Sequence, residues 1–130
     1  MNKDIVKKIN ELITSQLWLD FEVVEYTISK LTIIGSISPS YPADIEITFT
    51  DIFCMSLPMM WQTDTQQEVF KIAENEEARI INKKFKIEYG YTPFLFIPED
   101  YPEDFYCIIA AKSVNYEILN IGLFKTVEST

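Results

Sequence analysis

The chain has no histidine, three glycines and two cysteines in 130 residues. Lack of histidine removes the commonest general base near neutral pH and a major class of metal ligand, and it excludes every catalytic triad built on imidazole. With so few glycines, scattered at 35, 90 and 122, there is no phosphate-cradling loop, nucleophile elbow or EF-hand loop. Cys54 and Cys107 lie among apolar neighbours, Phe53 and Met55 for one, Tyr106 and Ile108 for the other, so they read as small buried hydrophobes and not as a disulfide framework. No stretch is long and apolar enough to span a bilayer, and lysines interrupt the N-terminal "MNKDIVKKINELI", which therefore lacks a signal-peptide core. These absences predict a reduced, cytoplasmic setting.

What the chain does have is apolar material and acid. Hydrophobic residues make up 48% and aromatics 14%, enough for one core, so residues 1 to 130 are expected to form a single domain. The net charge of −9 repels phosphate backbones and anionic membranes, which argues against nucleic-acid and membrane partners. It is also uneven: residues 1 to 16 carry +1, 17 to 51 carry −5, 52 to 98 carry −1, and 99 to 130 carry −4.

Ile5, Val6, Ile9, Leu12 and Ile13 fall at helical spacing, predicting an amphipathic helix over residues 3 to 16 with Asn2 as its cap. From Trp18 the period becomes two, and the phase change at Val23-Val24 points to a bulge or a strand end. "KLTIIGSI" is a second strand in which Gly35 marks a bend or a close backbone approach, and "SPSYPA" is a loop. "DIEITFT" alternates Ile45, Ile47 and Phe49 with Glu46, Thr48 and Thr50, the pattern of a sheet with one buried face.

A second helix is expected near residues 75 to 89, capped by Asn75 and ended by Gly90, with Ala78, Ile81, Phe85 and Tyr89 inward. "FLFI", "FYCIIAA" and "VNYEILNI" complete two or three further strands. The order predicts an α+β fold, mainly an antiparallel sheet with both helices on one face. The alternative is a β-sandwich or partly open barrel with peripheral helices.

"IPEDYPED" concentrates Glu99, Asp100, Glu103 and Asp104. A hard cation needs about six converging oxygens, and Pro98 and Pro102 disfavour the helix that would align these carboxylates. Two successive turns, Ile97 to Asp100 and Tyr101 to Asp104, fit better, so no metal site and no cofactor are expected. No catalytic residue is assigned either, because "DIFCMS" supplies Cys54 with neither base nor thiolate-stabilising charge.

"LPMMW", with Met59, Met60 and Trp61 after Pro58, has the composition of an adaptable interface. "YGYTPFLF" offers Tyr89, Tyr91 and Phe94 as the lining of a pocket. "FYCIIAAKSVNYEI" after an acidic turn, together with the alternating strands and "LPMMW", resembles small bacterial immunity proteins of polymorphic toxin systems, as a pattern over residues 18 to 119. The resemblance transfers no functional residue. It implies a cytoplasmic protein that neutralises a toxin by binding it.

The residues themselves are compatible with three readings. One is a non-catalytic protein-binding module whose carboxylates at Asp20, Glu22, Glu46, Glu99, Asp100, Glu103 and Asp104 steer a basic partner, with Met60 and Trp61 as anchors. A second is a small-molecule-binding domain or carboxylate-dependent enzyme using the Tyr89, Tyr91 and Phe94 pocket, which requires a cavity bearing a buried carboxylate. A third is an accessory or structural subunit, which a native mass measurement would reveal as a stable oligomer.

Overall fold

The apolar stripe of the N-terminal segment becomes helix α1 (Asn2–Thr14), whose Val6, Ile9, Leu12 and Ile13 are buried. Burying each of these side chains contributes about 1.5–3 kcal/mol, against a polar outer face that contributes little. The helix ends where Ser15 turns its hydroxyl back to the Leu12 carbonyl at 2.6 Å. Asn2 does not cap it. Its side chain instead donates to the Lys112 carbonyl at 3.0 Å, tying the helix start to the sheet.

The computed structural model describes residues 1 to 38 and 42 to 128, so the loop expected at "SPSYPA" falls partly outside the described residues. Seven strands, β1 (Leu19–Thr27), β2 (Lys30–Ser36), β3 (Ile45–Ser56), β4 (Met60–Thr63), β5 (Phe70–Ile72), β6 (Thr92–Phe96) and β7 (Cys107–Ile118), form one sheet in the order β4-β1-β2-β3-β7-β6-β5. Every neighbouring pair is antiparallel. Helix α2 (Asn75–Phe85) and the short α3 (Lys125–Glu128) complete the described elements.

The phase change read at Val23-Val24 is a bulge: Val23 pairs with Ile33 and Glu25 with Thr32, leaving Val24 without a partner. A second irregularity between Ile52 and Cys54, next to Asp51 at φ 59°, bends β3 after β2 has ended. Gly35 sits where β1, β2 and β3 face inward together. A Cβ there would stand 2.9 Å from both Ile45 Cγ2 and Phe21 Cε1, so only glycine lets those two side chains meet.

The sheet curls into an open half-barrel. Phe21 of β1 and Trp61 of β4 reach Phe96 of β6, with ring centroids 5.4 and 5.2 Å apart, although those strands stand far apart in the sheet order. The Glu99 amide, just beyond β6, donates to the Gln62 carbonyl of β4 at 2.8 Å and helps draw the two sides together. Phe49, Phe70 and Phe94 fill the interior beside Phe96, and α1 closes it. The mainly antiparallel α+β expectation holds in this curled form.

The helices do not share a face, contrary to the sequence reading. Phe94 and Phe96 point into the α1 side, while Leu95 between them joins Ile81, Ala73 and Ile108 on the opposite side, where α2 packs. The two-residue period of β6 gives it two apolar faces, so each takes a helix. Other boundaries differ as well. The "CIIAA" of "FYCIIAA" and "VNYEI" form the single strand β7, which leaves out Phe105 and Tyr106, and β4 and β5 are additional strands before α2. Helix α2 stops at Phe85, because Lys86 turns left-handed at φ 53° and the next amide, that of Ile87, donates back to the Asn82 carbonyl at 3.0 Å; Gly90 lies farther on, in a turn of its own. Tyr89 is consequently outside the helix, fully exposed at 105%. Asn75 does not cap α2 through its side chain.

Candidate functional site

On the sheet face away from α1, strand register places residues that are distant in sequence side by side. Met60 pairs with Glu22, Glu22 with Ile34, Ile34 with Glu46, and Glu46 with Glu117, giving one outward row across β4, β1, β2, β3 and β7. The period-two phase decides this, since the intervening Phe21, Ile45 and Ile47 all point into the core. Asp20 lies one outward position along β1, paired with Ser36 on one side and Gln62 on the other. Glu22 and Glu117 are exposed, while Asp20 and Glu46 are half-buried.

Glu46 and Glu117 are direct cross-strand neighbours, with Cβ atoms of such pairs about 4.5–5.5 Å apart, and like charges so placed repel. At about 6 Å in water two unit charges cost about 0.7 kcal/mol. Among the described residues, none of Glu22, Glu46 and Glu117 has an ion pair or a side-chain hydrogen bond. By contrast, Lys30 pairs with Glu25 at 3.3 Å on the same strands, and Lys71 with Glu77 at 3.2 Å near α2.

The acidic turn borders this face. Its Glu99 amide is bonded to the Gln62 carbonyl, and Gln62 is paired with Asp20, so Glu99 and Asp100 lie past the β4 edge beside Asp20, one outward position from the Glu22 row. Glu99, Asp100, Glu103 and Asp104 are all exposed. The segment makes two turns, at Glu99-Asp100, where Asp100 adopts φ 66°, and at Glu103-Asp104, where the Phe105 amide donates to the Pro102 carbonyl at 2.9 Å. The second hydrogen-bonded turn thus runs one residue later than Tyr101 to Asp104. Tyr101 stacks on Phe105 at 4.4 Å and pins the turn. No group of three or more acidic or cysteine side chains among the described residues is arranged to hold a metal ion.

Two of the anchor and pocket residues are placed differently from expectation. Trp61 is only 4% exposed and stacks on Phe21 at 5.6 Å, so it is core and cannot meet a partner. The phase of β4 sends Met60 outward and Trp61 inward, and Met60 alone stands in the acidic row. Phe94 is fully buried between Phe49 and Phe70. Tyr89 and Tyr91 line a hollow of about 560 Å³ with Asn82, Ile87 and Thr92, but Phe94 is not part of it. Tyr91 is occupied in packing against Phe53 at 5.0 Å and beneath the Lys112 ammonium.

Glu117 is the member of the row that sequence reasoning passed over. Its outward phase can be read from "VNYEI", but its place beside Glu46 depends on a register between strands some seventy residues apart. Two further depressions exist. Between α1 and β5 a polar hollow of about 540 Å³ carries Lys3, Lys7, Lys71, Glu11, Glu68 and Glu74, with Lys3 and Glu74 at 3.9 Å. Beside α2 a groove of about 500 Å³ is lined by Ile80, Ile81, Phe85, Phe105, Tyr106 and Ile108.

The titrating groups give no sign of activated chemistry. Burial pushes the Cys54 thiol up, and it pushes the Cys107 thiol up to about 12, so both favour the unreactive neutral form. The Tyr106 hydroxyl is raised by burial first and then by its hydrogen bond to Glu77. Arg79 bonds Glu76 on the exposed side of α2 and holds that carboxyl below its ordinary range. No helix among the described residues is long and apolar enough to cross a membrane. Compared with family models, curated proteins and solved structures, the chain shows no significant match to any of them.

Proposed function

We propose that this protein is a non-catalytic protein-binding module that presents its outer sheet face to a basic partner. The observation that supports this most is the in-register row Glu22, Ile34, Glu46 and Glu117, in which Glu46 and Glu117 face each other directly across strands and none of the three carboxylates has an ion-pair partner among the described residues. Such a row costs folding free energy and gains from a cationic partner, which is the arrangement that accelerates encounter and selects partners by charge. The adjoining Asp20, Glu99 and Asp100 extend the same field, and Met60 offers adaptable apolar contact within it. Toxin neutralisation in the cytoplasm, the role implied by the resemblance to bacterial immunity proteins, is the form of this function that we favour. The two free cysteines suit a reducing compartment.

The test is association kinetics with a partner captured from the native cell, measured at low and high salt with wild type and with the triple variant Glu22→Gln, Glu46→Gln, Glu117→Gln. Steering by the row predicts that the association rate falls at least roughly tenfold with salt and that the triple variant is slower and less salt-dependent. A rate indifferent to both salt and substitution rejects steering, and failure to retain any protein rejects the module itself.

A further inference from the structure

The acidic row supplies charge but few apolar contacts, and the anchor expected at Trp61 is buried. One end of the half-barrel holds what the row lacks. Leu17 is 86% exposed, Trp18 49%, Leu119 45% and Ile121 70%, on two segments that flank the sheet. These segments are held together by a chain of polar contacts. The Trp18 indole donates to the Ile37 carbonyl at 2.8 Å, and the Ile37 amide donates to Asp44 Oδ2 at 2.9 Å. The Asp44 carbonyl accepts from the Leu119 and Asn120 amides at 2.9 and 3.1 Å, while its Oδ1 takes the Asn120 side chain at 3.0 Å. The chain just before Trp18 is fixed too, through Gln16 to the Leu123 carbonyl at 3.2 Å and Thr65 to the Leu17 carbonyl at 2.9 Å.

We infer that Leu17, Trp18, Leu119 and Ile121 form the apolar anchor of a docking surface for a basic protein that carries its own exposed apolar side chains. Trp18 stands two residues from Asp20, and Leu119 two residues from Glu117, so the patch abuts the carboxylate row at both strands. An indole held by a hydrogen bond loses little entropy on contact, and tryptophan is among the residues that dominate interface energetics. Charge selects the occupant. A second copy would bring Glu22, Glu46 and Glu117 against like charge, and an anionic membrane or nucleic acid would be repelled by the same row, whereas lysine- and arginine-flanked apolar groups satisfy both halves of the surface.

This inference rests on the acidic-surface reading above, and the experiment separates the two. The probes are a synthetic amphipathic helical peptide of leucine and lysine and a charge-matched peptide of glutamine and lysine. The readouts are peptide affinity and tryptophan emission, with Trp18→Phe assigning the signal and Trp61 as the buried background. The leucine-lysine peptide is expected to bind at least roughly tenfold more tightly and to shift Trp18 emission to the blue. Leu17→Ser and Ile121→Ser, both at exposed positions and checked for folding by circular dichroism, are each expected to weaken it about tenfold while leaving the glutamine-lysine peptide unaffected.

Equal binding of both peptides with Trp18 emission unmoved overturns the anchor and leaves the acidic surface standing. If neither peptide binds, both are overturned. If Ile80→Ser weakens the leucine-lysine peptide and Ile121→Ser does not, the occupant sits in the groove beside α2 and the anchor assignment is wrong. Self-association abolished by Leu17→Ser makes the occupant a second copy, which also overturns it.

Discussion

The side-chain oxygen of Asn10, in the middle of α1, accepts hydrogen bonds from the backbone amides of both Val69 and Phe70 at 3.0 Å each. Phe70 begins β5, the edge strand of the sheet, and its unpaired amide side is therefore satisfied by a helix side chain and not left open to another chain. Asn10→Ala removes one acceptor and orphans two donors, so it is expected to cost about 2–6 kcal/mol, on the basis of about 1–3 kcal/mol for each group left unsatisfied. Asn10→Asp keeps an acceptor and is expected to cost less. Urea unfolding of the two variants, with amide exchange at Val69 and Phe70, checks this; equal losses in both would show that the oxygen is not what matters.

Gly35 makes a sharper steric prediction. The methyl added by Gly35→Ala meets Ile45 and Phe21 at 2.9 Å, closer than carbon atoms tolerate, and both neighbours are fully buried. Overpacking of this kind is expected to cost about 1–3 kcal/mol. Combining it with Phe21→Leu, which vacates the ring position, is expected to be non-additive by more than about 0.5 kcal/mol in the favourable direction. Strictly additive losses in thermal or urea unfolding would place the strain elsewhere.

The parts of this fold legible in sequence are those set by local period. Ile45, Ile47 and Phe49 announced their inward face, α1 followed its apolar stripe, and the Val23-Val24 phase slip marked the bulge. What was hidden depended on partners distant in the chain. Strands β4 and β5 have four and three residues, too short for a period to register, and they exist because β1 and β6 pair with them. Trp61 depends on β4 in the same way: next to Met60 and Pro58 it looks like an interface residue, and only the strand phase turns it inward. The end of α2 was hidden for another reason. Glycine stands at position 90, with φ 101°, yet the helix ends at Lys86, where left-handed geometry carries a cost that composition does not reveal. Of the proposed docking surface, the outward phases of Glu22 and Glu46 are legible in the sequence, but not their alignment with Glu117.

Cys107 links stability to alkaline pH. It is fully buried, and its thiol is pushed up to about 12 from an ordinary value of 9.0. The raised value means that the native state holds a proton which the unfolded chain releases first. The stabilisation is therefore complete below the unfolded thiol's pKa and is lost as pH rises from 9 towards 12, with a slope of about 1.4 kcal/mol per unit. Cys107→Ala loses stability at every pH through the missing sulfur, but its stability curve is expected to be flatter by that slope over this window. Tyr106 and other alkaline groups are present in both proteins and cancel in the difference. Denaturant unfolding at a series of pH values decides it, parallel curves being the negative result.

Glu46 and Glu117 place stability and binding in opposition. Neutralising one member of a like-charged cross-strand pair removes repulsion, so Glu117→Gln is expected to stabilise the fold by about 0.2–1 kcal/mol, and the gain should shrink as salt rises. The same substitution removes a carboxylate from the β7 end of the proposed docking row, beside Glu46 and two residues from the Leu119 anchor, and is expected to slow association with a basic partner. A residue present only for solubility would show the gain in stability without slower association, and one present for folding would show a loss of stability. Measuring urea midpoints and association rates on the same variant separates these cases: a more stable protein that binds more slowly is the signature of charge held on the surface for a partner, whereas unchanged binding would remove Glu117 from the surface altogether.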